Sequence, residues 1–163
     1  RTEKPVIIST GMANLAEINH AVEVLRKYNC EPTVLHCVSA YPTLSHEANL
    51  SAINTIREST KCEIGWSDHT VDAGVIHRAV HKWDAKVIEF HLDLDGTGEE
   101  FSPGHCWLPN QVKDVISQIN NGRRADGKGI KEPLPSELSD RAWRADPSDG
   151  LRPMKKTRKN YPD

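Results

Sequence analysis

The sequence predicts an α/β fold in which parallel strands alternate with helices. Short runs such as "PVIIST" and "TVLHCVS" are continuously apolar and β-branched, which suits strands covered on both faces. Between them lie segments with helical spacing and short connections, the pattern of right-handed β-α-β crossovers. Composition bounds the class further. With 163 residues, 37% hydrophobic and 27% charged, and a formal net charge of -2, the chain is long enough for one domain with a real core. That balance excludes the global basicity of a nucleic-acid binder. No apolar run approaches the roughly 20 residues needed to span a bilayer. No secretory leader opens the chain, so a cytoplasmic setting is expected.

Each element has its own justification. Pro5–Thr10 forms the first strand, and Gly11 ends it. The segment "NLAEINHAVEVLRKY" then repeats Leu15, Ile18, Val22 and Leu25 at helical spacing, with Asn14 and Glu17 placed as a capping box. Thr33–Ser39 is the second strand, followed by a loop carrying Pro42 and the helix "NLSAINTIRES". "CEIGWS" is the third strand, and "DAGVIHRAVHKW" a helix turning Val75, Ile76 and Ala79 inward. Lys86–Leu94 is the fourth strand. After a loop rich in Gly and acidic residues, "PNQVKDVISQINNG" gives a last helix, with Pro109 in its first turn and Gly122 at its end.

Four βα units make either half of an eight-unit barrel or a small open sheet. They occupy residues 1–122. Residues 123–163 are rich in Gly, Pro and both charge signs, and read as an extended or loosely folded tail. Its basic end serves as a solvated terminus or a contact arm. The opening "RTEKPVIIST" has no initiator Met and little lead-in before a strong strand, so a piece of a longer protein is expected.

Sites in parallel α/β folds form at the carboxyl ends of the strands. Those ends carry Ser9-Thr10, His36 and Ser39 with Tyr41, then Ser67-Asp68-His69-Thr70, and finally Glu89, His91, Asp93 and Asp95. His69 and His91 are the sharpest pair, because neighbouring strands run about 5 Å apart. Two imidazoles at that distance can share a divalent metal, or each can be separately hydrogen-bonded. His36 is either a satisfied strand residue or a donor lining the site. His20, His77 and His81 fall on helices, and His105 lies in a loop that can approach the rim. The acidic residues Asp68, Asp93, Asp95, Glu99 and Glu100 each read singly as solvated loop charges. "GTGEEF" and "GRRADGKG" are not phosphate-binding patterns. Cys30, Cys37, Cys62 and Cys106 form no CxxC pair and read as reduced structural thiols, with "GHCW" no nucleophile signature.

Taken together, "KPVIISTGMA", "LHCVSAYPT", "GWSDHT" and "EFHLDLDGTGEEFS" resemble the sialic acid synthase family from about Lys4 to Gly122. The resemblance implies the carboxyl-terminal half of a (β/α)₈ barrel. It implies condensation of phosphoenolpyruvate with an N-acetylated hexosamine such as N-acetylmannosamine, giving a nonulosonic acid and phosphate. It also implies a divalent metal, usually Mn2+ with Mg2+ or Co2+ as alternatives, on His69 and His91. By the same resemblance Ser67 meets phosphoenolpyruvate, Tyr41 lines the sugar site, and Glu100 faces the sugar hydroxyls with Asp95 and Glu99 in competition. Asp68 joins the substrate-binding set. Ser39 stands where many relatives carry asparagine.

Two departures shape the expectation. The first four βα units are not in this sequence, nor are the family's phosphate-binding lysines. No antifreeze-like domain is evident in residues 123–163, where Arg144, Arg152 or Lys155 are candidates to supply its arginine's charge. The expected partners are small-molecule substrates, with neither nucleic acid nor membrane, and a homodimer for the full-length enzyme. The isolated chain is expected to be weak or inactive. Its unpaired edge strands favour association unless covered. The alternative is a non-catalytic sugar- or metal-binding half-barrel that works with a partner chain.

Overall fold

The computed structural model describes residues 4–160, in two units, Arg1–Ala125 and Asp126–Asp163. In the first unit the strands β1 (Ile7–Ser9), β2 (Thr33–Cys37), β3 (Glu63–Asp68), β4 (Ile88–Leu92) and β5 (Cys106–Trp107) form one sheet. Every neighbouring pair is parallel and the spatial order follows the chain order. The helices α1 (Leu15–Lys27), α2 (Ala52–Thr60) and α3 (Ala73–His81) fill the crossovers, and α4 (Pro109–Ala125) follows β5.

Local chemistry explains the helix starts. Asn14 Oδ1 accepts the amides of Ala16 and Glu17, while Glu17 Oε2 accepts the Asn14 amide at 2.7 Å, so the expected capping box is formed. At α3, Asp72 accepts the Gly74 amide at 2.8 Å and the Ser45 hydroxyl at 2.8 Å. These bonds, the Ser45 one foremost, hold its carboxyl below the usual carboxylate range.

The core lies between the helices and one face of the sheet. Val22, Val34, Ile53, Ile64, Trp66 and Ala79 are essentially sealed there, together with Val75 and Ile76 as the helical spacing predicts. Each large apolar side chain so buried contributes about 1.5–3 kcal/mol. Strand alternation places Leu35, Gly65, Ser67, Glu89 and His91 on the other face. Gly65 is required where it stands, because a Cβ would collide with the Val87 carbonyl and the Leu35 side chain.

Three expectations about elements change. The "GHCW" loop contains the fifth strand, whose two residues pair with His91 and Leu92. Such a strand is too short to show alternation. The last helix runs past Gly122 to Ala125, with Arg123 and Arg124 in a final turn where their charge complements the helix dipole. Gly122 therefore sits within the helix, its open side facing the His81 ring. The fourth strand is shorter than Lys86–Leu94, since the Asp93 side chain starts a loop there. All four cysteines are free, as expected.

The second unit is irregular, with 3-10 turns at Pro135–Glu137 and Arg141–Trp143 and a short helix α5 (Lys155–Arg158). It is more ordered than a loose tail. Asp146 accepts the amide and hydroxyl of Ser148 and the amide of Lys155, bonds that hold its carboxyl far below the usual range. Arg158 pairs with Asp149 at 2.6 Å. Arg144, Arg152 and Lys155 belong to this unit.

Candidate metal-binding site

The carboxyl ends of β2, β3 and β4 and the residue that leads into β5 bring four rings together. Tyr41 lies over His69 with centroids 4.1 Å apart. His69 and His91 are 5.2 Å apart, and His91 and His105 5.0 Å. Tyr41 also meets His91 at 5.7 Å and His105 at 5.1 Å. The loop after β2 is fixed in this position by Thr43, whose amide donates to the His69 carbonyl at 2.9 Å and whose hydroxyl donates to the Ala40 carbonyl at 2.8 Å.

The two expected metal-binding histidines are oriented through one nitrogen each. His69 Nδ1 stands 2.7 Å from the Val38 carbonyl, an acceptor only, so this nitrogen carries the proton and donates. His91 Nδ1 donates in the same way to Glu100 Oε2 at 3.2 Å. In both rings the lone pair is then left on Nε2. Metal-ligating histidines show this arrangement, their second nitrogen held by a carbonyl or carboxylate.

Burial grades the site. His69 is sealed, His91 is half-buried, and Glu100 reaches in from an exposed loop. His105 is only 5% exposed. Its Nδ1 is the one buried side-chain nitrogen or oxygen among the described residues with no hydrogen-bond partner. Burial pushes the His105 imidazole below its ordinary value, with His91 and His69 adding to the shift and Glu100 opposing it. His91, Glu100, His105 and Cys106 bring one ligand atom each within 4.8 Å of one another. Two imidazoles, a carboxylate and a thiol suit a divalent cation in donor type and number.

The remaining expected residues divide sharply. Ser67, on the face shared with His91, donates to Glu89 Oε2 at 2.6 Å. Ser39 is partly buried beside Gly11, its Oγ 3.5 Å from where a Cβ on that glycine would stand. Asp95 is exposed and turns its Oδ1 to the amide and hydroxyl of Thr97, shaping its own loop. Asp68 points away from the rings into the core. Its carboxylate accepts from Trp66 Nε1, Thr70 Oγ1, Trp107 Nε1 and the Val71 amide, so protein donors already occupy it. His36 likewise faces the helices, with Nε2 at 3.0 Å from the Ala48 carbonyl.

The sequence placed Glu89 on the fourth strand without assigning it a role, and gave His105 and Cys106 little weight. Alternation was a usable signal for Glu89, which shares a face with His91 two residues on. The other two required the fifth strand, which no periodicity announces.

The loop between β4 and β5 is framed by Asp93. Its Oδ1 accepts the amides of Asp95 and Gly96, and its Oδ2 that of Gly98. A Cβ at Gly98 would collide with this carboxylate. The frame delivers Glu100 to His91.

The model of the NeuB family matches residues 1–131. The pseudaminic acid synthase of Helicobacter pylori is 40% identical over 144 residues, covering 88% of this chain and 42% of that protein. The N,N'-diacetyllegionaminic acid synthase of Campylobacter jejuni is 37% identical over 142 residues, covering 84% of this chain and 42% of that protein. The N-acetylneuraminic acid (sialic acid) synthetase of Leptospira borgpetersenii, solved in complex with citrate, superposes with a TM-score of 0.68 at 33% identity. That match covers 83% of this chain and 47% of the other. The chain thus spans about two fifths of the length of these curated relatives.

Proposed function

This chain belongs to the NeuB family, and from that premise we propose that it supplies part of the site of a phosphoenolpyruvate-dependent nonulosonic acid synthase. The sheet is read as the carboxyl-terminal portion of a (β/α)₈ barrel. The substrates are phosphoenolpyruvate and an N-acetylated hexosamine such as N-acetylmannosamine. In the condensation the methylene carbon of phosphoenolpyruvate bonds to the sugar's aldehyde carbon, whose oxygen takes up a proton; water adds to the phosphate-bearing carbon with loss of a proton, and phosphate leaves by C–O cleavage to give the 2-keto acid. The observation that carries this reading is the cluster of Tyr41, His69, His91 and His105 at the strand ends.

His69 and His91 are assigned to hold a divalent ion, Mn2+ in the first instance. A cation bound there supplies Lewis acidity to the aldehyde oxygen. The protein's own groups do the positioning. Val38 and Glu100 orient the two rings through Nδ1, and Tyr41 covers one side of them and faces the sugar. Ser67 and Glu89, linked at 2.6 Å, form a proton-bearing pair for the phosphoenolpyruvate side. Glu100 is exposed enough to meet sugar hydroxyls as well as His91. Ser39 remains assigned to the substrate. Asp68 and Asp95 are reassigned, since the carboxylate bonds described above make them positioning residues. A homodimer, a cytoplasmic setting and weak activity of the chain by itself complete the reading. No helix among the described residues is long and apolar enough to cross a membrane.

Calorimetric titration of the chain with Mn2+ tests the assignment. His69→Ala and His91→Ala are each expected to weaken binding at least about tenfold. Unchanged affinity in both variants defeats the metal assignment. Full turnover of both substrates by this chain alone defeats the proposal that it supplies only part of the site.

A further inference from the structure

We propose that the ion at this site is also bound by the Cys106 thiolate and the His105 imidazole, which makes this a sulfur-containing centre selective for zinc- or cobalt-like ions. The inference rests on the two-histidine reading above, adds ligands to it, and replaces Mn2+ with a zinc- or cobalt-like ion as the one the site prefers. It begins from the short fifth strand. Cys106 pairs in register with His91, so the two side chains lie on the same face of neighbouring parallel strands. The thiol is buried, and its Sγ stands 3.3 Å from the Glu100 carbonyl oxygen.

His105 provides the second, independent observation. Its ring is sealed from solvent, it packs 5.0 Å from His91, and its Nδ1 has no partner. Its Nε2 lies 4.0 Å from Glu100 Oε2, the oxygen that also accepts from His91. A buried imidazole nitrogen without a hydrogen-bond partner is uncommon in a folded protein and calls for a ligand or a water. One ligand atom from each of His91, Glu100, His105 and Cys106 falls within 4.8 Å of the others, and the His69 ring lies 5.2 Å from that of His91, so His105 and Cys106 stand within reach of an ion held by the two histidines while Glu100 keeps its bond to His91 Nδ1.

The donor set determines the class of ion. Manganese and magnesium are suited by oxygen-rich sites, whereas a thiolate with imidazoles selects zinc, cobalt or iron(II). Ligation of a thiol by a cation breaks its S–H bond, forms a metal–sulfur bond and releases one proton to solvent, with no change of oxidation state. The other thiols are placed for packing. Cys62 lies beside Glu31 and Arg26, and Cys37 belongs to β2, which is not adjacent to β4.

Affinity order alone does not separate the two readings, because nitrogen and oxygen sites also bind cobalt more tightly than manganese. The sulfur bond has its own signature. The full chain, freshly reduced, is titrated with cobalt(II) and followed by absorbance. The expected result is a thiolate-to-cobalt charge-transfer band in the near ultraviolet, saturating at about one equivalent. Cys106→Ser abolishes it, Cys37→Ser retains it, and His105→Gln weakens binding about tenfold or more.

Cobalt binding without the band, unaffected by Cys106→Ser but lost in His69→Ala and His91→Ala, overturns the sulfur ligation and leaves the two-histidine reading intact. Absence of cobalt binding by the unmodified chain overturns both. A measurement on that same chain guards against a variant that does not fold. Zinc is expected to slow alkylation of Cys106 while leaving Cys30 unchanged, and equal alkylation of Cys106 with and without zinc overturns the proposal.

Discussion

Trp107 donates its indole N–H to the Asp68 carboxylate at 2.9 Å, joining β5 to β3 beneath the strand that separates them. Trp66 reaches the other oxygen at 3.0 Å. The pair brackets β4, which carries His91. In Asp68→Ala, two indoles, the Thr70 hydroxyl and the Val71 amide all lose this acceptor. Each buried orphan costs about 1 kcal/mol or more, so a loss of roughly 3 kcal/mol or more is expected. Thermal unfolding should drop by roughly 10 °C, with loss of near-ultraviolet circular dichroism from the tryptophans. A melting point within about 2 °C of the parent shows that the bracket is not structural.

Gly98→Ala tests the loop rather than the core. The added methyl forces the Asp93 carboxylate aside, and the path from Gly96 to Glu100 changes with it. Stability should change by less than about 1 kcal/mol, because the loop is exposed. Metal affinity should fall about tenfold through loss of the Glu100–His91 contact. Equal affinities in parent and variant mean that Glu100 does not orient His91.

Tyr41 separates packing from hydrogen bonding. Tyr41→Phe keeps the ring over His69 and is expected to leave metal affinity within about twofold, whereas Tyr41→Ala releases the imidazoles and lowers it about tenfold. If the proposed placement of Tyr41 against the sugar holds, Tyr41→Phe adds a second signature, a raised sugar KM in any preparation that turns over. Identical metal binding in all three proteins sinks the packing role.

His36 sets a pH dependence away from the rings. Burial holds its imidazole below the ordinary value of 6.5 in spite of the carbonyl it meets. As pH falls through 6.5 the unfolded chain takes up a proton that the folded chain refuses, so stability is lost from there down to the folded-state value. Above pH 6.5 this residue contributes no slope. Urea unfolding between pH 7.5 and 5 should show the decline in the parent and a flatter profile in His36→Gln. Parallel profiles would show that another group is responsible.

Much of the fold was legible because buried parallel strands write themselves as β-branched runs. The capping box at Asn14 and the inward face of the third helix followed from spacing alone. His69 and His91 were legible as a pair for the same reason, since strand ends in this architecture converge. Asp68 was expected to meet substrate, and proximity in "SDHT" hides the alternation that turns its carboxylate to the two indoles instead. Ser67 faces the rim, so the next residue must face the helices, where two tryptophans meet it. The fifth strand and the position of His105 depended on tertiary pairing with β4. Nothing in "SPGHCWLP" records that partner.

The loop framed by Asp93 carries one more implication. Its path is set by three amide bonds to a single carboxylate, and the side chains of Thr97, Glu99 and Glu100 take no part in them. The scaffold of the entrance and its chemical character are therefore encoded at separate positions. Under the proposed function, exchange of Glu99 alters the entrance to the sugar site while the turn and the Glu100–His91 contact stay intact. Named relatives differ in the acid they make, and an exchange of this kind leaves the imidazoles where they are.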